Sequence, residues 1–219
     1  MREPLRTRTG PRLSKAEKKA ARRERRNDAA RAVLQLAMTR LRIGEVLQQG
    51  AGLPWTFHPS GALLLALGDG EVLQVHAPAL RQPGLPDALS HSVVSTGYLV
   101  SGRLGLAHYR EQSRGEICLA QPWRSDVGLI GGPVRVSLGS GTERVLVPGD
   151  HFSLAPGEIT RQTPGEGAVL IVAAQADRFV SGRLFYPLGS ELGDNRMSPA
   201  TPEQIAAVLA AALEAWSDR

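Results

Sequence analysis

The side chains that could carry chemistry in this sequence are few and widely spaced. The chain has five histidines and one cysteine, and no two histidines lie within four residues of each other. His151 follows Asp150, and a carboxylate can hold a neighbouring imidazole as a general base. Cys118 lies in an alternating apolar run, which favours a buried thiol over a nucleophile. This spacing predicts no catalytic residue, metal site or cofactor, and the other histidines are expected to be structural: His58, His76, His91 and His108.

The single cysteine also limits the class of protein. A chain with one cysteine forms no intramolecular disulfide and builds no cysteine-based zinc site. No phosphate-binding loop, serine nucleophile elbow or dinucleotide fingerprint occurs, and no apolar run approaches the roughly 18 residues of a membrane helix. We therefore expect a protein of the cytoplasm without a membrane segment. The excess of Arg over Lys, 23 to 3, indicates a GC-rich bacterial genome.

Positive charge is concentrated at the N-terminus. Residues 1–44 carry 14 basic and 4 acidic side chains, and the remaining residues carry 12 and 17. Such an asymmetry indicates a nucleic-acid partner. Because residues 1–54 contain no aromatic side chain, phosphate contacts are expected instead of base stacking. The alternative is a solvated terminus that only aids solubility. The predicted phosphate contacts are Lys15, Lys18, Lys19, Arg22, Arg23, Arg25 and Arg26.

Helices are predicted at both ends of the chain. Residues 1–13 form a disordered basic tail in this interpretation, because they offer too little apolar surface to pack. A helix over 14–48 follows, basic at first and then amphipathic. At the other end, Thr201 and Gln204 have the spacing of a capping box and predict an amphipathic helix within 198–219. This helix either covers an open face of the domain or forms a subunit interface, which leaves a homodimer open.

The residues between these helices predict a domain of short strands over 53–188. Apolar or alternating runs are separated by Gly, Pro, Asp and Ser, a texture typical of an antiparallel sandwich or barrel. Gly68-Asp69-Gly70 predicts a hairpin turn. We likewise interpret Gly139-Ser140-Gly141 as a turn between strands 134–138 and 143–147. A further strand is predicted over 91–95.

One stretch of this domain resembles a known motif. Gly149 and Asp150, followed by the turn at Pro156-Gly157, resemble the second conserved motif of the cupin superfamily. This resemblance implies a jelly-roll barrel, also called a double-stranded β-helix. In that alignment Thr160 stands where the family has its metal-binding histidine. The implied pair of upstream histidines is also replaced, because residues 118–123 contain none.

A second stretch resembles another family with the same fold. Residues 98–109 and 113–119 look like the first hairpin of cyclic-nucleotide-binding domains. That resemblance implies a phosphate-binding segment over 128–137, with Arg135 at the phosphate. Both resemblances therefore imply an antiparallel jelly-roll barrel. Together with the two predicted helices, the expected fold is mainly β, with a long N-terminal helix and a C-terminal amphipathic helix flanking the barrel.

These observations favour a non-enzymatic regulatory protein. Its basic arm would contact nucleic acid, and its barrel would sense a ligand or support oligomerisation. A small-molecule enzyme of the cupin type and a purely structural interaction module remain as alternatives. A ligand in the barrel would meet Asp126, Arg135, His151, Thr160 and Arg161.

Overall fold

The computed structural model describes residues 41–68, 70–124, 127–174, 181–193 and 196–217. The chain divides into two compact units, Met1–Glu45 and Val46–Arg219. The architecture of the second unit is mainly β, and every strand pairing within it is antiparallel. The mainly β fold class expected from the sequence is therefore confirmed.

Among the described residues, seven strands form the first sheet. In spatial order they run β13, β1, β2, β3, β11, β5 and β9. Adjacent residues of the central strands are buried, such as Val169 and Leu170 of β11, as expected where both faces of a sheet are covered. The strands are β1 (Thr56–His58), β2 (Ala62–Gly68), β3 (Glu71–His76), β5 (Ser95–Ser101), β9 (His151–Leu154), β11 (Val169–Ala174) and β13 (Ser198–Pro199).

In the part of the chain that the structure describes, the second sheet has six strands and closes on itself. Strand β10 pairs with β4, β4 pairs with β12, and β12 pairs with the second part of β6. The first part of β6 pairs with β10, which closes the sheet. This closure is possible because β6 is long and its two parts have different partners. Strand β8 pairs along β6, and β7 pairs at its end. The strands are β4 (Ala88–His91), β6 (Leu104–Arg124), β7 (Gly128–Leu129), β8 (Val134–Leu146), β10 (Ile159–Pro164) and β12 (Ser181–Pro187).

Two hydrophobic clusters follow from this arrangement. The first takes residues from both sheets and fills the space between them: Leu99, Leu104, Leu106, Leu146, Phe152, Leu154, Ala168 and Leu170. The second is drawn from the strands of the closed sheet alone: Ala88, Cys118, Ala120, Leu138, Ile159 and Phe185, with Tyr109 and Val136 packed against it. The closed sheet therefore has an apolar core of its own.

Helical structure flanks the sheets in sequence. Residues 41–49 are helical and continue into a 3-10 turn at Gly50–Gly52; we label the helix α1. The predicted helix over 14–40 and the tail over 1–13 lie outside the described residues. A second 3-10 turn spans Pro78–Leu80.

The C-terminal helix α2 spans Pro202–Ser217. Its capping box is confirmed, because the Gln204 N–H donates to the Thr201 hydroxyl (3.3 Å) and the Thr201 N–H donates to the Gln204 side-chain carbonyl (2.9 Å). The apolar face of α2 is buried within the chain: Ile205, Val208, Leu209 and Ala212. Since α2 contacts β2 and β3, it covers the chain's own first sheet, which is one of the two roles predicted for it.

Of three predicted local features, one is confirmed and two differ from the structure. The hairpin at Gly68-Asp69-Gly70 is confirmed by the pairing of β2 with β3. The predicted turn at Gly139–Gly141 is wrong, because these glycines lie inside the continuous strand β8. A Cβ on Gly139 would overlap the Gln112 side chain, and one on Gly141 would overlap the His108 carbonyl. The glycines permit a close approach to β6 instead of a chain reversal. The strand predicted over 91–95 is also wrong, because residues 92–94 separate β4 from β5.

Candidate functional site

An open recess lies at the apolar core of the closed six-stranded sheet. The recess is shallow: its enclosed volume is about 20 Å³, room for about one water molecule, and the remaining space at its mouth is open to solvent. Residues of β4, β6, β8, β10 and β12 meet there because the sheet closes. The apolar lining includes Ala88, Cys118, Leu138, Phe185 and Pro187, and the polar lining includes Asp87, Tyr109, Glu116 and Arg161. We call this site the Arg161 recess.

Arg161 is held in place from three sides. Its Nε donates to the Asp87 carbonyl oxygen at 3.1 Å, and its Nη2 lies 3.6 Å from the Asp87 carboxylate. Its guanidinium also lies over the ring of Tyr109, 5.4 Å from the ring centre. These contacts fix the position of the charge. The side chains of Arg161 and Asp87 remain 40% and 42% exposed, so both charges can meet a molecule that enters from solvent.

A second arginine makes similar contacts on strand β12, which is separated from β10 by β4. The Arg183 guanidinium lies 5.3 Å from the ring centre of Phe185 and forms an ion pair with Glu111. Phe185 is almost fully buried and lines the recess. Two aromatic rings at this site therefore each carry a cation on one face.

Cys118 lies in the lining of the recess and is buried. Burial raises the pKa of its thiol, and the carboxylates of Glu116 and Glu111 raise that pKa further. The thiol is therefore protonated at neutral pH and is a poor nucleophile. This agrees with the sequence-based interpretation of Cys118 as a small apolar residue.

The ligand contacts predicted from sequence lie at different places in the two sheets. Arg161 is the one of the four described residues that lines the recess. Thr160 precedes it on β10, is fully buried, and its hydroxyl has no hydrogen-bond partner in the described chain. Arg135 is exposed on β8. His151 is exposed at the start of β9 in the other sheet, where its carbonyl oxygen accepts from Arg144 (3.3 Å). Asp126 lies outside the described residues.

No hydrogen bond or ion pair joins any two of the four described candidates. The seven basic residues predicted to contact nucleic acid all lie within 1–40, outside the described residues.

The histidines adopt two kinds of environment. His108 Nδ1 lies 2.6 Å from the Glu158 carboxylate, whose second oxygen accepts from the Ala155 N–H at 2.9 Å. In contrast, burial lowers the pKa of both His58 and His76 to about 4. Neither ring nitrogen of His76 has a hydrogen-bond partner in the part of the chain described. These two rings are neutral at pH 7 and lie in β1 and β3 of the first sheet.

Neither a cluster of metal-ligand side chains nor a membrane-spanning helix occurs among the described residues. Within these ranges, no group of three His, Cys, Asp or Glu side chains could hold a metal ion. The helices described over the same ranges include none with the length and apolar character needed to cross a membrane.

Most residues of the Arg161 recess were not predicted from the sequence. Tyr109 contacts Arg161, and Asp87 binds it, although the three residues are far apart in the chain. The alternation of residues 116–120 is the one local signal, since it places Glu116 and Cys118 on the same face of a strand. The rest of the site depends on closure of the second sheet, which leaves no local pattern.

No model of a protein family matches this chain, and no curated protein matches its sequence.

Proposed function

We propose that this protein is a non-enzymatic nucleic-acid-binding regulatory protein. Its basic N-terminal segment supplies the phosphate contacts, and its β domain acts as a ligand-sensing or oligomerisation module. The observation that carries the proposal is the separation of charge, with 14 basic and 4 acidic residues in 1–44 against 12 and 17 in the remainder. The N-terminal segment would be attracted to a polyanion, whereas the rest of the chain would be weakly repelled.

The mode of binding follows from the composition of the segment. Lysine and arginine contact phosphates without reading base sequence, and they release counterions as they bind. Since residues 1–54 contain no aromatic side chain, stacking on unpaired bases contributes nothing from this segment. We therefore propose salt-dependent binding with little base preference.

For the β domain we propose a jelly roll. In support, eight strands pair in a nested order: β3 with β11, β4 with β10, β5 with β9, and β6 with β8. Successive strands of this set also alternate between the two sheets, apart from the turn back at β6 and β8. Nested pairing of this kind is what a folded-over antiparallel ribbon gives, and it is the arrangement of jelly rolls. Such domains commonly present a ligand site or an oligomer contact, which fits a regulatory role.

The direct test is removal of the basic segment. Deleting residues 1–28 should abolish an electrophoretic mobility shift with duplex DNA or RNA, because 11 of the basic side chains are removed with it. Thermal stability of the β domain should change little. Unchanged affinity for both nucleic acids after the deletion would refute the proposal.

A matched substitution controls for general loss of positive charge. Arg110, Arg114 and Arg135 are exposed on strands β6 and β8. Changing all three to glutamine should leave the mobility shift in place, because these residues belong to the less basic part of the chain. Loss of binding in this triple variant would transfer the nucleic-acid site to the β domain.

A further inference from the structure

The pair formed by His108 and Glu158 lies outside the Arg161 recess and joins two parts of the fold. His108 is on β6, and Glu158 lies in the turn between β9 and β10. The Nδ1 atom of His108 is 2.6 Å from one oxygen of the Glu158 carboxylate, and the other oxygen accepts from the Ala155 N–H at 2.9 Å. The carboxylate is therefore held by the turn as well as by the imidazole.

The main chain of His108 is held between two strands. On one side it pairs with Thr160 of β10. On the other side β8 comes so close that a Cβ on Gly141 would overlap the His108 carbonyl oxygen. An imidazole that is fixed at its backbone and at Nδ1 has little freedom left to lose when it reacts.

The second ring nitrogen of His108, Nε2, is available for chemistry. A carboxylate only accepts hydrogen bonds, so Nδ1 carries the proton and the neutral ring has its lone pair on Nε2. In the part of the chain described, Nε2 has no hydrogen-bond partner, and the side chain is 26% exposed. An imidazole with a free Nε2 and a carboxylate on Nδ1 is arranged as a nucleophile or a base.

His151 is also exposed but lacks this arrangement. Its imidazole has no carboxylate partner among the described residues, and its carbonyl oxygen accepts from Arg144. The carboxylate of the adjacent Asp150 instead accepts from the Val147 N–H at 2.9 Å. His151 therefore provides a matched comparison for an accessible imidazole without a positioned carboxylate.

We propose that His108 is a nucleophile toward small activated esters, such as aryl acetates, and that Glu158 is its positioning residue. The site is open to solvent, so the substrate class is small and needs no enclosed pocket. This activity goes beyond the proposed function and does not depend on nucleic-acid binding.

The reaction has two steps. In the first, Nε2 attacks the carbonyl carbon, the bond from that carbon to the aryloxide oxygen breaks, and the aryloxide leaves with the electron pair. The acyl-imidazole that forms is positively charged, and the Glu158 carboxylate stabilises it through the Nδ1–H. In the second, water adds to the acyl carbon and the bond to Nε2 breaks. This step releases the carboxylate product and two protons and restores the neutral imidazole.

The test uses the full chain and p-nitrophenyl acetate, with release of p-nitrophenolate followed over many turnovers. Lysine side chains and the α-amino group form stable amides and react once, so continued turnover reports an imidazole. His108→Gln should lower kcat/KM about a hundredfold, because the attacking nitrogen is lost. His151→Gln should leave kcat/KM unchanged.

A second pair of substitutions tests the positioning role of Glu158. Glu158→Gln should lower kcat about fivefold and leave KM unchanged, because the carboxylate acts on the charged acyl-imidazole and not on the bound ester. Glu166→Gln, which removes an exposed carboxylate between β10 and β11, should change neither constant. A rise in KM at constant kcat in Glu158→Gln would contradict the assigned role.

A measurement on the unaltered protein keeps the proposal testable if a variant does not fold. Diethyl pyrocarbonate modifies accessible imidazoles, and peptide mapping should find His108 modified before His151. Three results would overturn the proposal: turnover that survives His108→Gln, turnover no faster than that of free imidazole at the same concentration, or modification of His151 before His108. None of these measurements involves nucleic acid, so failure here is distinguishable from failure of the proposed function.

Discussion

At the scale of single residues, the environment of a side chain matters more than its type. Arg161 and Arg135 are both arginines on strands of the second sheet, yet one is bound by Asp87 and Tyr109 in a recess and the other is exposed. The histidines differ in the same way. His151 is exposed, whereas His76 is buried and its ring nitrogens have no partner among the described residues.

The buried histidines predict how stability depends on pH. Because burial lowers the folded-state pKa of His58 and His76 to about 4, the unfolded chain binds more protons between about pH 6.5 and pH 4. These two histidines therefore do not reduce the free energy of unfolding above about pH 6.5, and they lower it progressively as the pH drops from about 6.5 to about 4. The pKa shift of His76 corresponds to a loss of about 3 kcal/mol in the free energy of unfolding at low pH. Urea unfolding at pH 7 and at pH 4.5 measures the loss.

A substitution isolates the contribution of His76. His76→Leu should reduce the acid sensitivity, because leucine has no proton to gain and leaves no buried polar group unpaired. The exposed His151 provides the control, since His151→Gln should leave the pH dependence as it is. An unchanged acid loss in His76→Leu would show that this ring is not a source of it.

At the scale of elements, local signals predicted some strands and missed others. The β2–β3 hairpin and helix α2 were predicted because a turn sequence and a capping box lie within a few residues. The continuity of β8 was missed because it depends on contacts with β6, a distant strand. A glycine pair inside a strand and one at a turn look alike in sequence. Only the partner strand distinguishes them.

Substitution of a glycine in β8 tests whether this strand approaches β6 closely. Gly141→Ala should destabilise the fold by roughly 2 kcal/mol or more, because the new methyl group would overlap the His108 carbonyl and backbone must move. Gly132→Ala is the matched control, since a Cβ at that position meets no atom within 4 Å. Guanidinium unfolding should separate the two variants clearly. Equal stability would mean that β8 does not approach β6 as described.

At the scale of the whole molecule, fold class was predictable and the candidate site was not. Spacing of short apolar runs was enough to predict a mainly β domain. The Arg161 recess, in contrast, requires β10 to pair with both β4 and β6, and no spacing along the chain encodes that closure. The distribution of charge, in contrast, was predictable, because the concentration of basic residues before residue 45 is visible in the sequence alone.

The salt dependence of nucleic-acid affinity shows directly whether the basic segment contacts phosphates. The measurement compares the full chain with a variant in which Lys15, Lys18, Lys19, Arg22, Arg23, Arg25 and Arg26 are changed to glutamine. For duplex DNA, the logarithm of the association constant should fall linearly with the logarithm of salt concentration. The glutamine variant should bind more weakly and have a shallower slope, by about 0.9 for each phosphate contact removed. The same affinity and slope in both proteins would contradict the account.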